Sequence, residues 1–173
     1  GLTVLSAFSF WMNILIIEYG WVNYALGVLW SLSVEEVFYL AFPLLCLTLA
    51  RGKAFFLFLV LIVAYAPYFR SLHYGEESGA YLYHYFSSFD GIAVGCLTAI
   101  FSHTYRPNWT YKKPFSWLLI LSMAALYLYA PIKEVSTWGI SLFALATGLL
   151  ILCFQHPSET QAHSLFTKVM VWL

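Results

Sequence analysis

Three acidic residues of this sequence lie within strongly apolar stretches. Glu35 and Glu36 lie in the run Leu29–Pro43, and Asp90 begins a second run that continues through Gly95. Ionisable residues inside apolar spanning helices are costly, and they usually face the interior of a bundle, where they pair or act chemically. A carboxylate held there can bind a hydroxyl, orient a histidine or carry a proton. We therefore predict that these acids contribute to a polar site.

Helix capping explains part of the first acidic pair. Ser33 followed by Glu36 three residues later fits a capping box, which would place a helix start at Ser33. That interpretation accounts for Glu36 and leaves Glu35 unexplained. Ser31 and Tyr39 each stand four residues from Glu35, so a helix would place these three side chains on one polar stripe. We expect a functional or polar-network role for Glu35.

Asp90 has two interpretations that the sequence alone leaves open. It could be a partner of the helix dipole near the start of a helix, or it could belong to the site. The small residues Ser87, Gly91, Gly95 and Ala99 recur at intervals of four. This spacing is typical of a face on which a second helix packs closely in a membrane.

The composition indicates a membrane protein. Hydrophobic residues make up 62% of the 173 residues and charged residues only 9%, whereas soluble domains average about 45–50% and about 25%. Eight basic and eight acidic residues balance, so there is no basic stripe for a nucleic-acid partner. The three cysteines lie in apolar runs without metal-ligand spacing, and no metal site is predicted.

Apolar stretches near the length of a spanning helix, about 20 residues, recur along the chain. We predict an all-α, polytopic bundle of about six spanning helices, forming one transmembrane domain (1–173) that is truncated at both ends. The predicted spans are 2–17, 32–50, 54–69, 87–102, 115–131 and 135–154.

The basic residues of the loops predict the orientation of these spans. One set of loops contains six lysines and arginines, and the other contains only Arg70 and Lys133. The positive-inside rule assigns the first set to the cytoplasm. The first residue of the chain is then cytoplasmic, and all three acids lie toward the outer side, where we expect a common polar pocket.

The run Leu29–Pro43, LWSLSVEEVFYLAFP, resembles the signature of acyltransferase family three, the integral membrane O-acyltransferases. Val37 replaces the glutamine that is usual there. The run from Phe89 to Leu97 is similar to a family helix that opens with aspartate, although Ser88 stands where a basic residue is common. The positions that match the first signature are Trp30, Ser31, Leu32, Ser33, Glu35, Phe38, Tyr39 and Pro43.

The resemblance implies transfer of an acyl group, often acetyl, from acyl-CoA to a hydroxyl of a surface polysaccharide or lipid-linked glycan. It also implies a multi-pass protein of the plasma (inner) membrane, with membrane lipid as a partner and acyl-CoA as co-substrate rather than bound cofactor. Glu35 is then the catalytic-site carboxylate, which orients the general base or holds the acceptor. The substrate-binding candidates are Ser31, Ser33, Glu36, Tyr39 and Asp90.

In this interpretation the general-base histidine lies upstream of Gly1, so the chain alone is expected to be inactive. The competing prediction is a proton- or cation-coupled transporter or flippase that uses Glu35 and Asp90 within the membrane. A structural membrane module without chemistry is a third alternative.

Overall fold

The computed structural model describes residues 1–21, 23–49, 52–104, 112–129 and 137–154, which form nine α-helices and no strand. The all-helical prediction is thus confirmed for this part of the chain. In chain order the helices are α1 (Leu2–Phe8), α2 (Met12–Tyr19), α3 (Tyr24–Gly27), α4 (Trp30–Thr48), α5 (Lys53–Leu72), α6 (Ala80–Tyr83), α7 (Tyr85–Thr104), α8 (Lys112–Tyr129) and α9 (Gly139–Phe154).

Three helical stretches are long and apolar enough to cross a bilayer: Tyr24–Thr48, Lys53–Leu72 and Ala80–His103. Between 17% and 33% of the apolar 18-residue window in each is buried inside the protein, and large apolar side chains of all three, including Leu40, Leu57 and Phe101, are exposed, as they would be toward lipid. These features indicate a membrane protein. Two further apolar helices are shorter over the described residues, Lys113–Leu128 and Gly139–Phe154, and the number of six spans stays a prediction.

The prediction of one continuous helix over Leu2–Ile17 is wrong, because the chain breaks between α1 and α2. The Ser9 hydroxyl donates to the Leu5 carbonyl oxygen, and the Trp11 indole N–H donates to Ser9 Oγ at 2.8 Å. Phe10 has a φ of 61°, which is left-handed and incompatible with a right-handed helix. Side-chain bonds from serine back to the preceding turn thus end α1 before the apolar run ends.

Helix α7 is central to the packing of the described helices, because it contacts α5 on one side and α9 on another. Phe55 and Leu59 of α5 meet Ala93 of α7 in a hydrophobic cluster. Helix α9 also contacts α8, while α2 packs on α4 around a second cluster that contains Met12 and Leu15. The contacts of α7 with α5 and α9 position the polar groups described below.

The close approach between α7 and α9 does not use the small-residue face predicted from the sequence. Gly91 and Gly95 are exposed, and a Cβ atom added to either would meet nothing within 4 Å. At Gly148 of α9, by contrast, an added Cβ would lie 2.6 Å from Thr98 Oγ1 and 3.0 Å from Val94 Cγ1. The glycine that permits close packing is therefore on the partner helix.

Candidate functional site

Helix α4 begins at Trp30, three residues before the predicted start. Ser33 lies inside the helix, is buried, and donates its hydroxyl to the Leu29 carbonyl oxygen at 3.1 Å. Because its side chain bonds backward to the preceding turn, the predicted capping box with Glu36 is wrong. Glu36 is a half-buried residue of the second turn, and capping no longer explains it.

Ser31, Glu35 and Tyr39 form what we call the α4 stripe. They are spaced by four residues on one helix and all three are exposed, Tyr39 at 59%. The three residues therefore share one face of α4 as predicted, but that face is exposed and does not point into the bundle interior, where the acids were expected. Among the described residues, Glu35 forms no hydrogen bond or ion pair. Two of the exposed neighbours along α4, Leu40 and Leu44, are apolar.

The α4 stripe brings one carboxylate and two hydroxyls onto a helix that is long enough to span a membrane. An ionised carboxylate facing hydrocarbon is unfavourable by several kcal/mol, so such a surface requires a polar partner. The carboxylate oxygens can accept hydrogen bonds from an alcohol, an imidazole N–H or a guanidinium group. The stripe can therefore hold or orient a polar reactant at membrane depth.

Asp90 occupies a different environment. It lies in the second turn of α7, is only 1% exposed, and pairs with Arg70 of α5 through a 2.7 Å contact between Nη2 and Oδ2. The Ser141 hydroxyl of α9 donates to the same oxygen, and the Gly91 backbone N–H donates to Oδ1 at 2.9 Å. Both carboxylate oxygens are thus hydrogen-bonded.

The Arg70 guanidinium is fully buried and donates hydrogen bonds to four groups, one of which is the Asp90 carboxylate. Its Nε donates to the Thr137 carbonyl oxygen at 2.8 Å, Nη1 donates to the Ser87 carbonyl oxygen, and Nη2 also donates to Ser141 Oγ. We refer to Arg70, Asp90 and Ser141 as the Arg70 cluster. It ties α5, α7 and α9 together with its charges paired and hydrogen-bonded.

Sequence reasoning placed Arg70 in an outer loop, and this is wrong because α5 continues to Leu72. The basic residue that pairs with Asp90 is Arg70 of α5. It does not come from position 88 of the same helix, where the resembled family commonly has a basic residue. One signal was available. The predicted span 54–69 has 16 residues, fewer than the about 20 that a bilayer requires, and extension at its end would have included Arg70.

The described residues do not form the predicted common pocket for the three acids. Asp90 is bonded by α5 and α9, whereas Glu35 is exposed on α4. A groove of about 490 Å³ runs between α4, α5 and α7, and its walls include Phe38 and Phe89 and are almost entirely apolar. Apolar side chains therefore stand where the polar pocket was expected.

A comparison of the chain with protein-family models, curated proteins and solved structures found no match.

Proposed function

We propose that the protein is part of a membrane O-acyltransferase that moves an acyl group, often acetyl, from acyl-CoA to a hydroxyl of a cell-surface polysaccharide. The observation that carries the proposal is the α4 stripe. Glu35 stands exposed between two hydroxyl-bearing residues on a helix that is otherwise suited to lipid. A carboxylate in that position gains most when it binds a polar group that takes part in chemistry.

The chemistry of the proposed reaction suits an orienting carboxylate. The acceptor hydroxyl attacks the thioester carbonyl, an O–C bond forms, the C–S bond breaks, and coenzyme A leaves. Because a hydroxyl is a weak nucleophile, a base must take its proton, and histidine titrates in the appropriate range. In this proposal the histidine lies on another helix of the full-length protein. Glu35 orients its ring or holds the acceptor hydroxyl, while Ser31 and Tyr39 add hydrogen bonds.

The proposed site lies in a multi-pass protein of the plasma (inner) membrane, with Gly1 on the cytoplasmic side. Acyl-CoA, an anionic co-substrate, would approach the basic cytoplasmic loops, and the polysaccharide would approach the other side. The burial of Arg70 supports this orientation. Removing Arg70 from the outer loops leaves Lys133 as the only basic residue predicted there, which sharpens the charge asymmetry.

The test compares Glu35→Ala with Glu36→Ala in the full-length protein by measuring acyl transfer to surface polysaccharide. We expect Glu35→Ala to lower transfer by about 100-fold or more, in the range that follows loss of a group acting in general acid–base chemistry. Glu36→Ala is the comparison variant, since it removes an adjacent carboxylate that is half-buried and lies outside the α4 stripe, and it should lower transfer less than Glu35→Ala does. Equal activity of the two variants, or full activity of Glu35→Ala, would refute the proposal.

A proton- or cation-coupled transporter is the second candidate, and the break between α1 and α2 favours it. Discontinuous helices line the binding sites of many transporters. Just past the break, the Asn13 side chain is fully buried. Its amide lies close to the Tyr85 hydroxyl but forms no hydrogen bond of good geometry with any described residue. Against this candidate, Asp90 is saturated by Arg70 and Ser141. Proton-coupled uptake into vesicles, lost in Glu35→Gln, would support transport over acyl transfer.

A further inference from the structure

A second cavity lies where α2 ends and α6 begins, away from both the α4 stripe and the Arg70 cluster. It is an open cleft with a volume of about 460 Å³, which falls within the range of about 300–1,000 Å³ seen for small-molecule sites. We call it the aromatic cleft. Its lining residues are Ile16, Ile17, Glu18, Gly20, Trp21, Glu77, Ser78, Gly79 and Tyr83. Tyr83 alone among them belongs to a candidate spanning stretch.

The aromatic wall of the cleft is held in place by packing. The Trp21 ring stacks on Tyr24 with centroids 5.5 Å apart and meets Tyr83 edge-on at 5.9 Å. Tyr83 in turn meets Trp30 edge-on at 5.1 Å. A Cβ atom at Gly27 would lie 2.6 Å from the Trp21 ring, so the indole fills the space that glycine leaves. The rings are therefore positioned before any ligand arrives.

The charge of the cleft is negative and uncompensated by its own lining. Glu18 and Glu77 are both exposed, and none of the described residues that line the cleft is a lysine, arginine or histidine. Neither carboxylate forms an ion pair within the described part of the chain. A concave surface of one charge attracts counter-ions, and an aromatic ring of the lining adds to that attraction wherever its face meets the cation. The cleft therefore favours a cation.

The arrangement suits an organic cation better than a metal ion. A calcium ion takes six to eight oxygen ligands, and the described residues contain no group of three or more acidic, histidine or cysteine side chains close enough to hold a metal. An organic ammonium group has different needs. Its charge interacts with carboxylates, and its methyl or methylene groups pack on aromatic rings. Trp21 and Tyr83 supply the rings, and Glu18 and Glu77 supply the charge.

We propose that the aromatic cleft binds an organic ammonium group, carried either by a small soluble amine or by a lipid headgroup. This site does not depend on the proposed acyl transfer. The full-length protein in a detergent without ammonium groups would be titrated with choline by calorimetry. The uncharged isostere 3,3-dimethylbutan-1-ol serves as the ligand control, because it has the same shape without the charge.

Choline should bind at least about tenfold more tightly than the uncharged isostere, and more weakly as salt rises. Glu77→Gln should weaken choline binding by about tenfold. Glu76→Gln is the matched control, because Glu76 is exposed in the same loop but does not line the cleft, and it should change binding less than about twofold. Equal binding of the two ligands, equal loss in the two variants, or no binding of choline would each overturn the proposal.

Reconstitution identifies the source of the ammonium group. Soluble choline would be titrated into protein in phosphatidylcholine vesicles and in phosphatidylglycerol vesicles. Suppression of choline binding by phosphatidylcholine alone assigns the cleft to a lipid headgroup, whereas equal binding in both vesicles assigns it to a soluble amine. Unchanged unfolding temperatures of Glu77→Gln and Glu76→Gln would show that a loss of binding reflects the cleft and not misfolding.

Discussion

Charged side chains are buried and paired in the Arg70 cluster, whereas the charged side chain of the α4 stripe is exposed. In the cluster, a carboxylate and a guanidinium from different helices are buried, paired and hydrogen-bonded to each other and to Ser141. In the stripe, Glu35 is exposed on a candidate spanning helix. A buried, paired network holds helices together and leaves little capacity for a reactant, while an exposed carboxylate on an apolar helix is available to a partner. The comparison therefore gives the Arg70 cluster a structural role and leaves the α4 stripe as the candidate for the proposed chemistry.

The largest effect should follow from removing one member of the buried pair. Arg70→Met leaves the Asp90 carboxylate buried without its cation, and we expect a loss of about 3–5 kcal/mol in the free energy of unfolding. The double variant Arg70→Met with Asp90→Leu should recover a large part of that loss, because no uncompensated charge remains. Equilibrium unfolding in mixed micelles measures both. If the single variant is as stable as the unaltered protein, the Arg70 cluster does not hold α5, α7 and α9 together.

A smaller effect should separate two glycines that the sequence does not distinguish. Gly148→Ala should lower the free energy of unfolding by about 1–3 kcal/mol, because the new methyl group pushes α9 away from Thr98 and loosens the Arg70 cluster. Gly91→Ala fills open space and should leave stability unchanged or raise it by up to about 1 kcal/mol, since alanine favours helix. Gly148→Ala should therefore lower the unfolding temperature, whereas Gly91→Ala should leave it unchanged or raise it. Equal losses in the two variants would contradict the packing.

The smallest effect on stability should come from the α4 stripe. Glu35→Gln should cost no more than about 0.5 kcal/mol in the free energy of unfolding, because Glu35 has no bonding partner among the described residues to lose and its removal relieves an unfavourable charge on an apolar helix. Asp90→Asn, the same change in the Arg70 cluster, should cost more because a charge-assisted pair is lost. Comparing the two variants by unfolding tests the contrast directly. A destabilisation by Glu35→Gln as large as that by Asp90→Asn would erase it.

Local patterns in the sequence allowed a good prediction of the α4 stripe. Intervals of four residues place side chains on one helix face wherever the helix begins, so Ser31, Glu35 and Tyr39 could be grouped before the structure was known. The start of α4 was harder, because Ser33 and Glu36 satisfy a capping pattern that competes with simple continuation of the helix. The bond from Ser33 to the Leu29 carbonyl oxygen shows that continuation was favoured.

The groups that bond Asp90 could not be predicted in the same way. Arg70 lies 20 residues before it and Ser141 lies 51 residues after it, and each stands on a different helix. No periodicity within one helix indicates which helices will be neighbours. The break after α1 was also missed, because the apolar run Leu2–Ile17 is continuous in hydropathy. The helix is interrupted by the hydrogen bond from the Ser9 hydroxyl to the Leu5 carbonyl oxygen and by the left-handed backbone of Phe10.

The sequence by itself indicated that this protein suits a lipid bilayer, and it determined the helical character of its elements. Both follow from an apolar content of 62%, since uninterrupted apolar runs in a bilayer must satisfy their backbone hydrogen bonds internally. It also determined which side chains share the exposed face of α4. Only the tertiary structure decided that Arg70 is buried with Asp90, and that Gly148 sets the distance between α7 and α9. The physical reason is that pairing and close packing depend on which helices meet.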